Sequence, residues 1–173
     1  MPARARPSDA YRRALSQFAT GITVVTTRSA QGEPAGITVN SFNSVSLDPP
    51  LVLWSLALHA STFDTFGRAE RYLVNVLAAD QIELAKRFAT AGRDGFGPTR
   101  WRATDSGLPR IDGCVAWFEC TRRSRYEEGD HVILVGRVER FESARGTPLI
   151  FHDGRYVTDL AEAPLPAALR AAR

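Results

Sequence analysis

Only two of the 173 residues are cysteines, Cys114 and Cys120, and they lie six positions apart in a segment that reads as one strand. On a strand they would share a face about 20 Å apart, which is out of reach of a disulfide. Free thiols packed as small hydrophobes in a reducing compartment are the expected state, and the cytoplasm is the expected location. Neither a CxxC pair nor clustered histidines are present, since His59, His131 and His152 are scattered, so no metal site is expected. Lysine is scarcer still, with Lys86 alone, and the net charge of +3 comes from arginines spread along the chain. That spread lacks the basic face that nucleic acid demands, and Arg4, Arg6, Arg12 and Arg13 read as a solvated start, with residues 1–9 flexible. No apolar run approaches the roughly 20 residues of a membrane span. The start, MPARARPSDAYRR, also lacks the apolar segment of a secretory signal, so no membrane association is expected.

Several motifs are missing as well. There is no GxxxxGK[ST], no GxSxG and no HExxH, which removes the common signatures of P-loop hydrolysis, α/β-hydrolase nucleophiles and zinc proteases. Gly92, Gly95 and Gly97 follow a helix instead of a strand and have the wrong spacing for a dinucleotide fingerprint. Any nucleotide bound here is held in another way.

What remains is an ordinary globular composition, 44% hydrophobic and 24% charged, expected to form one domain over residues 1–158 with a C-terminal tail over 159–173. Ser8 can cap a helix running to Phe18, with Gly21 ending it; Ile22–Thr27 and Ile37–Ser46 then read as a hairpin around the QGEPAG turn. Asp48-Pro49-Pro50 interrupts the sheet before a strand over Leu51–Leu58. A short helix from Ser61 or Thr62 to Arg68, a strand over Tyr72–Leu77 and a helix capped by Asp80 with Glu83 as a capping box follow. Cys114–Arg123 and His131–Glu142 read as long strands, and short strands surround Leu149–Phe151 and Arg155–Val157. Adjacent hairpins without regular crossover helices predict a mainly β fold, an antiparallel barrel with peripheral helices.

The segment Gly36–Pro50, GITVNSFNSVSLDPP, stands out from these elements. Thr38, Asn40, Ser41, Asn43, Ser44 and Ser46 crowd it with small neutral hydrogen-bonding groups, and no charge appears before Asp48. Taken alone, it reads equally as the wall of a polar ligand site and as a solvated sheet edge. Alternation puts Thr38, Asn40 and Phe42 on one face and Val39, Ser41 and Asn43 on the other, unless a bulge re-aims some of them. Ser61 and Thr62 can meet an anion or simply cap their helix. In Gly129-Asp130-His131 the carboxylate can orient the imidazole, whereas His152-Asp153-Gly154-Arg155-Tyr156 reads as a tight Asp-Gly hairpin with a packed tyrosine.

Four segments, ATGITVVTT from Ala19, ITVNSFNSVSLDPPLVLWSL from Ile37, FDTFGRAERYLVNVLAADQIELAKRFA from Phe63 and YEEGDHVILVGRVERFE from Tyr126, together resemble the flavin reductase-like family. Its members are the reductase components of two-component flavin-dependent monooxygenases. The resemblance implies an FMN-binding split β-barrel, commonly a homodimer, that binds FMN or FAD and passes hydride to it from NADH or NADPH. Diffusible reduced flavin would then serve a partner monooxygenase. By the same resemblance Thr38, Val39, Asn40, Ser41, Ser44, Val45 and Ser46 lie beside the flavin, Ser55, Leu56 and Ala57 form a further wall, and Ser61 and Thr62 meet the phosphate. Phe88 and Arg93 would reach an adenylate, and His152 and Tyr156 would cover the ring. His131, oriented by Asp130, is the expected catalytic residue, with Gly136-Arg137-Val138 nearby. The rival readings are a pyridoxamine-phosphate-oxidase type protein and a flavin- or haem-binding module without turnover. No residue pattern chooses FMN over FAD or NADH over NADPH.

Overall fold

The computed structural model describes residues 7–90 and 95–161. In chain order the elements are α1 (Pro7–Ser16), β1 (Thr20–Gly21), β2 (Thr23–Arg28), β3 (Pro34–Val39), β4 (Asn43–Leu47), β5 (Pro50–Ala57), α2 (Phe63–Arg68) and β6 (Arg71–Val76). They continue with α3 (Ile82–Thr90), β7 (Trp101–Ala103), β8 (Pro109–Ile111), β9 (Ala116–Glu128), β10 (His131–Ser143), β11 (Ile150–His152) and β12 (Arg155–Val157).

Seven strands pair antiparallel in the order β3-β2-β6-β9-β10-β5-β4. Side chains from both ends of this sheet meet in one core: Val25 and Val39 from β2 and β3 share it with Val52, Trp54 and Leu56 from β5 and Val132, Leu134 and Val138 from β10. Distant strands can share a core only if the sheet curls into a barrel, and here the ladder stays open between β3 and β4, the split of a split barrel. Phe66 of α2 plugs one end, its ring edge-on to Trp54 at 5.2 Å. A second core lies outside the curl, where Val24, Ala85, Phe88 and Leu149 pack α3 and the small β1-β11-β12 sheet onto the barrel. Val24 and Val25 feed opposite cores because successive strand side chains point to opposite faces. Glu119, fully buried on β9, is held by Arg71 at 2.5 Å and Arg140 at 3.4 Å, as a buried carboxylate requires.

Several boundaries differ from the sequence-based expectations. The first helix begins at Pro7 and ends at Ser16, and Gly21 lies in β1 opposite Ile150 instead of stopping a helix. The third helix begins at Ile82. Glu83 pairs with Lys86 at 2.7 Å, and the Gln81 side chain accepts the Ala78 N–H at 2.9 Å, so the Asp80–Glu83 capping box is replaced. The β7–β8 hairpin has no counterpart among the expected elements, because three-residue strands are too short to show a period.

Cys114 precedes β9 instead of lying in it, and Cys120 is buried in the barrel. Burial pushes both thiols up to about 12. Because the folded values lie above the ordinary 9.0, the stability they confer is whole below that value and is lost as pH rises from 9.0 towards about 12. We expect a disulfide-exchange reagent at pH 8 to leave Cys120 unlabelled in the native protein and to reach both thiols after denaturation; rapid native labelling of Cys120 would contradict its burial.

Candidate active site

The polar segment does not run as one strand. It breaks at residues 40–42, and its halves, β3 and β4, become the two opposite edges of the seven-stranded sheet. The break lies at the split itself, which removes the simple alternation expected between Thr38 and Asn43. Ser41 continues the β4–β5 ladder with its side chain: its hydroxyl accepts the Ser55 N–H at 2.9 Å and donates to the Ser55 carbonyl at 3.3 Å. The Thr38 hydroxyl donates to the Ala85 carbonyl of α3 at 2.7 Å. Both groups are therefore engaged within the chain. The groups left for a ligand at this edge are the Asn40 side chain and the edge backbone.

Three cavities adjoin along the split. The central one, of about 200 Å³, is lined by Ile37, Thr38, Val39, Asn40, Ser41, Ser55, Ala57 and His131. It shares Ile37 and Ala57 with a second, of about 240 Å³, which adds His59, Ala60, Ser61, Thr62, Phe88, Ala89 and Thr90. It shares Asn40 and Ser41 with a third, of about 390 Å³, beside α1, where Arg12, Phe18, Thr20, Phe42 and Phe151 contribute. The result is an extended groove with mostly neutral polar groups and a cavity at each end. The hydroxyls of Thr62 and Thr20, residues that border the two end cavities, are buried and have no hydrogen-bond partner in the chain. Buried polar groups are nearly always partnered, so these two hydroxyls beside the groove are exceptions.

His131 opens β10 opposite Ala57 of β5, at the end of the two-residue turn Gly129-Asp130. Gly129 has φ +61 while Asp130 does not turn positive, the pattern of a type II′ hairpin turn that calls for glycine at its first position. Asp130 Oδ1 lies 2.6 Å from His131 Nδ1. That hydrogen bond first, and the charge of His131 second, hold the Asp130 carboxyl below its ordinary range. With Asp130 ionised the proton between them sits on Nδ1, leaving Nε2 for other contacts.

Of the sequence-predicted residues, the structure gathers Thr38, Val39, Asn40, Ser41, Ser55, Ala57 and His131 around the central cavity and Ser61, Thr62 and Phe88 around the second. Others lie elsewhere. Leu56 is 1% exposed in the barrel core, because alternation along β5 sends Val52, Trp54 and Leu56 inward. Ser44, Val45 and Ser46 sit on the outer edge strand β4, with a register shift between Ser44 and Ser46, and line none of the three cavities. Phe88 is a core residue that shows the second cavity only part of its ring; it is clamped by Gly36 and Gly95, where a Cβ would come within 2.7 Å of it. Asp153-Gly154 forms the tight hairpin, both residues at positive φ, and Tyr156 packs edge-on to Phe151 at 5.7 Å. It is Phe151, not His152 or Tyr156, that reaches the third cavity. Gly136 faces the barrel interior, where a Cβ would meet the Tyr72 hydroxyl at 2.1 Å, so its smallness serves packing instead of the groove. Arg93 lies outside the described residues. His59, Arg12, Phe18, Thr20 and Phe42 line the groove without any signal in the sequence that separates them from ordinary loop and helix residues.

The groove can be set against known proteins. The chain is 47% identical over 149 residues to the FMN reductase (NADH) SmoA of Agrobacterium fabrum, covering 86% of this chain and 84% of that one. It is 43% identical over 147 residues to the reductase component of the flavin-dependent trigonelline monooxygenase of Acinetobacter baylyi, covering 85% of this chain but spanning about half, 47%, of that protein. Among solved structures, the NADH:FAD oxidoreductase SgcE6 of Streptomyces globisporus, in complex with NAD and FAD fragments, superposes with a TM-score of 0.85 at 36% identity, covering 93% of this chain and 99% of that one. A family model for the flavin reductase like domain matches residues 15–158, nearly the whole split barrel with its groove, and the chain belongs to that family.

Proposed function

We propose that the protein is an NAD(P)H:flavin oxidoreductase that transfers hydride from a reduced nicotinamide to FMN or FAD and supplies reduced flavin to a partner monooxygenase. The observation that carries this reading is the groove at the barrel split, long, neutral and polar, with buried unpartnered hydroxyls at its ends and the Asp130–His131 pair at its centre. These residues fit a flavin nucleotide. Thr62 and Ser61 would hold its phosphate, and Asn40 with the edge backbone of β3 would meet the ribityl chain and the polar rim of the ring. A bound flavin supplies the hydride-accepting chemistry, and the protein contributes binding and orientation. His131, held at Nδ1 by Asp130, borders the central cavity, where its ring can hydrogen-bond the nicotinamide carboxamide. Such positioning is worth much in a reaction that needs two rings held face to face and no side chain to remove a proton. The same reading places the protein in the cytoplasm, consistent with two free cysteines.

A pyridoxamine-phosphate-oxidase type site would need basic side chains converging on a substrate phosphate, and among the described residues lining the three cavities Arg12 is the one lysine or arginine. A homodimer is supported by the free edge strand β4, whose Leu47 is 94% exposed and Val45 49% exposed, since an apolar unpaired edge is a template for another strand or copy. No described helix is long and apolar enough to cross a membrane. The decisive experiment is anaerobic addition of NADH or NADPH to the flavin-loaded protein in a stopped-flow spectrometer. Rapid bleaching of the oxidised-flavin absorbance is expected; flavin that stays oxidised would mark a binding module instead.

A further inference from the structure

We infer that the third cavity seats the adenylate half of the nicotinamide donor, with Arg12 of α1 reading its phosphates and the surrounding phenyl rings its base; the inference rests on the reductase reading above and names a residue that sets the preference among donors. The central cavity, of about 200 Å³, has room for little more than the ring that reacts there, and the second cavity is the phosphate end of the flavin in that reading. The rest of a dinucleotide must leave the centre in the other direction, across Asn40 and Ser41, which the central and third cavities share. There it meets about 390 Å³ of space with Phe18, Phe42 and Phe151 among its walls.

The rings suit a planar base. Phe42 is steadied by Phe118 at 5.5 Å and Phe151 by Tyr156 at 5.7 Å, so both present a fixed face or edge. Phe18 is 73% exposed, and a ring so open to water gains most when a ligand covers it. Arg12 supplies the charge. It shares one face of α1 with Leu15 and Ser16, three and four positions on, which puts all three in the cavity wall. The helix end is pinned where the Asp153 N–H donates to the Ser16 carbonyl at 2.8 Å and the Gln17 amide donates to the Asp153 carboxylate at 3.1 Å. Among the described residues no carboxylate pairs with Arg12, whereas Arg102, Arg110, Arg125 and Arg140 each have one. A free guanidinium beside an aromatic cavity is suited to a phosphate, which it can grip with two parallel N–H groups.

Calorimetric titration of the flavin-loaded full chain with ADP-ribose, the donor without its nicotinamide, tests this in the natural protein, Arg12→Gln, Arg12→Lys and Phe18→Ser. Arg12→Gln is expected to weaken ADP-ribose binding about tenfold, the scale of one charge-assisted contact, and Arg12→Lys to weaken it less. The bimolecular rate of flavin bleaching gives a second readout: in Arg12→Gln it is expected to fall about tenfold for NADH yet stay within about twofold for reduced nicotinamide riboside, which has neither phosphate nor adenine. Equal losses for NADH and NADPH would place the arginine on the pyrophosphate, and a larger loss for NADPH would place it on the 2′-phosphate. Unchanged ADP-ribose affinity in Arg12→Gln, or equal losses for NADH and the riboside, would overturn the assignment. So would a Phe18→Ser protein that loses its dimer and keeps its ADP-ribose affinity, which would give the rings to a second copy of the chain. A natural protein whose bound flavin no donor bleaches would instead overturn the reductase reading, a failure visible before any variant is made.

Discussion

Gly136→Ala is expected to lower the melting temperature by about 5–10 °C and to cut the yield of folded protein, with Tyr72→Phe in the same chain recovering about half of the loss. The expectation follows from the space available. A Cβ at position 136 would stand 2.1 Å from the Tyr72 hydroxyl, 2.9 Å from the carbon that bears it and 3.0 Å from the Cys120 Cβ. Tyr72 cannot swing aside, because it is 2% exposed and edge-on to Trp54 at 5.7 Å. Overpacking of a closed core costs about 1–3 kcal/mol and occasionally more, and in a chain of this length each kcal/mol moves the transition by about 2–4 °C. Removing the hydroxyl relieves the worst contact but leaves the other two, hence partial rescue. Tyr72→Phe alone is expected to change the transition little, since that hydroxyl makes no close hydrogen bond in the buried core. Thermal unfolding followed by circular dichroism decides the matter. An unchanged transition in Gly136→Ala, or no rescue, would show that the barrel relaxes around the new methyl group.

His131→Ala is expected to lower kcat/KM for the nicotinamide by about 10- to 100-fold while changing flavin affinity by no more than about threefold, the range of one positioning contact in a reaction governed by orientation. The ring borders the central cavity and is held by Asp130 at 2.6 Å, yet the polar groups that line the groove along β3 and at Ser61 and Thr62 are untouched by its loss. Asp130→Asn is expected to cost only a few-fold, because the amide oxygen can still accept the Nδ1 proton. Since the folded Asp130 carboxyl titrates below its ordinary value, the orientation it gives is whole above that value and is lost only as pH falls through the lower, folded one. Steady-state kinetics at several pH values, alongside flavin titration, separate these effects. Parallel loss of flavin binding and turnover in His131→Ala would make the residue part of the flavin site instead.

Much of this molecule was legible in its residues, for local physical reasons. Alternating β-branched and apolar residues, with turn chemistry at Gly129-Asp130 and Asp153-Gly154, announced the hairpins. Prolines 49 and 50 marked the junction of β4 and β5, where Leu47 stands opposite Pro50. The crowded neutral side chains of Thr38 to Ser46 pointed to one special stretch, and His131 beside Asp130 needed only adjacency in sequence to be noticed.

What escaped the sequence depends on contacts between distant segments. Whether Thr38 and Ser41 were free for a ligand could not be read from their identity, because the partners that engage them, Ala85 and Ser55, arrive through the packing of α3 and the curl of the sheet. Gly136 looked like part of a cofactor motif until the barrel brought Tyr72 against it. His59, Thr20 and Phe151 joined the groove only when three separate parts of the chain met along the split. The sequence by itself therefore determined strand identity, turn positions and the chemistry on offer, since propensity and alternation act over a few residues. The tertiary structure alone decided which polar groups remain unpartnered and which of them face a common cavity, since that depends on where the sheet curls and where its ladder stays open.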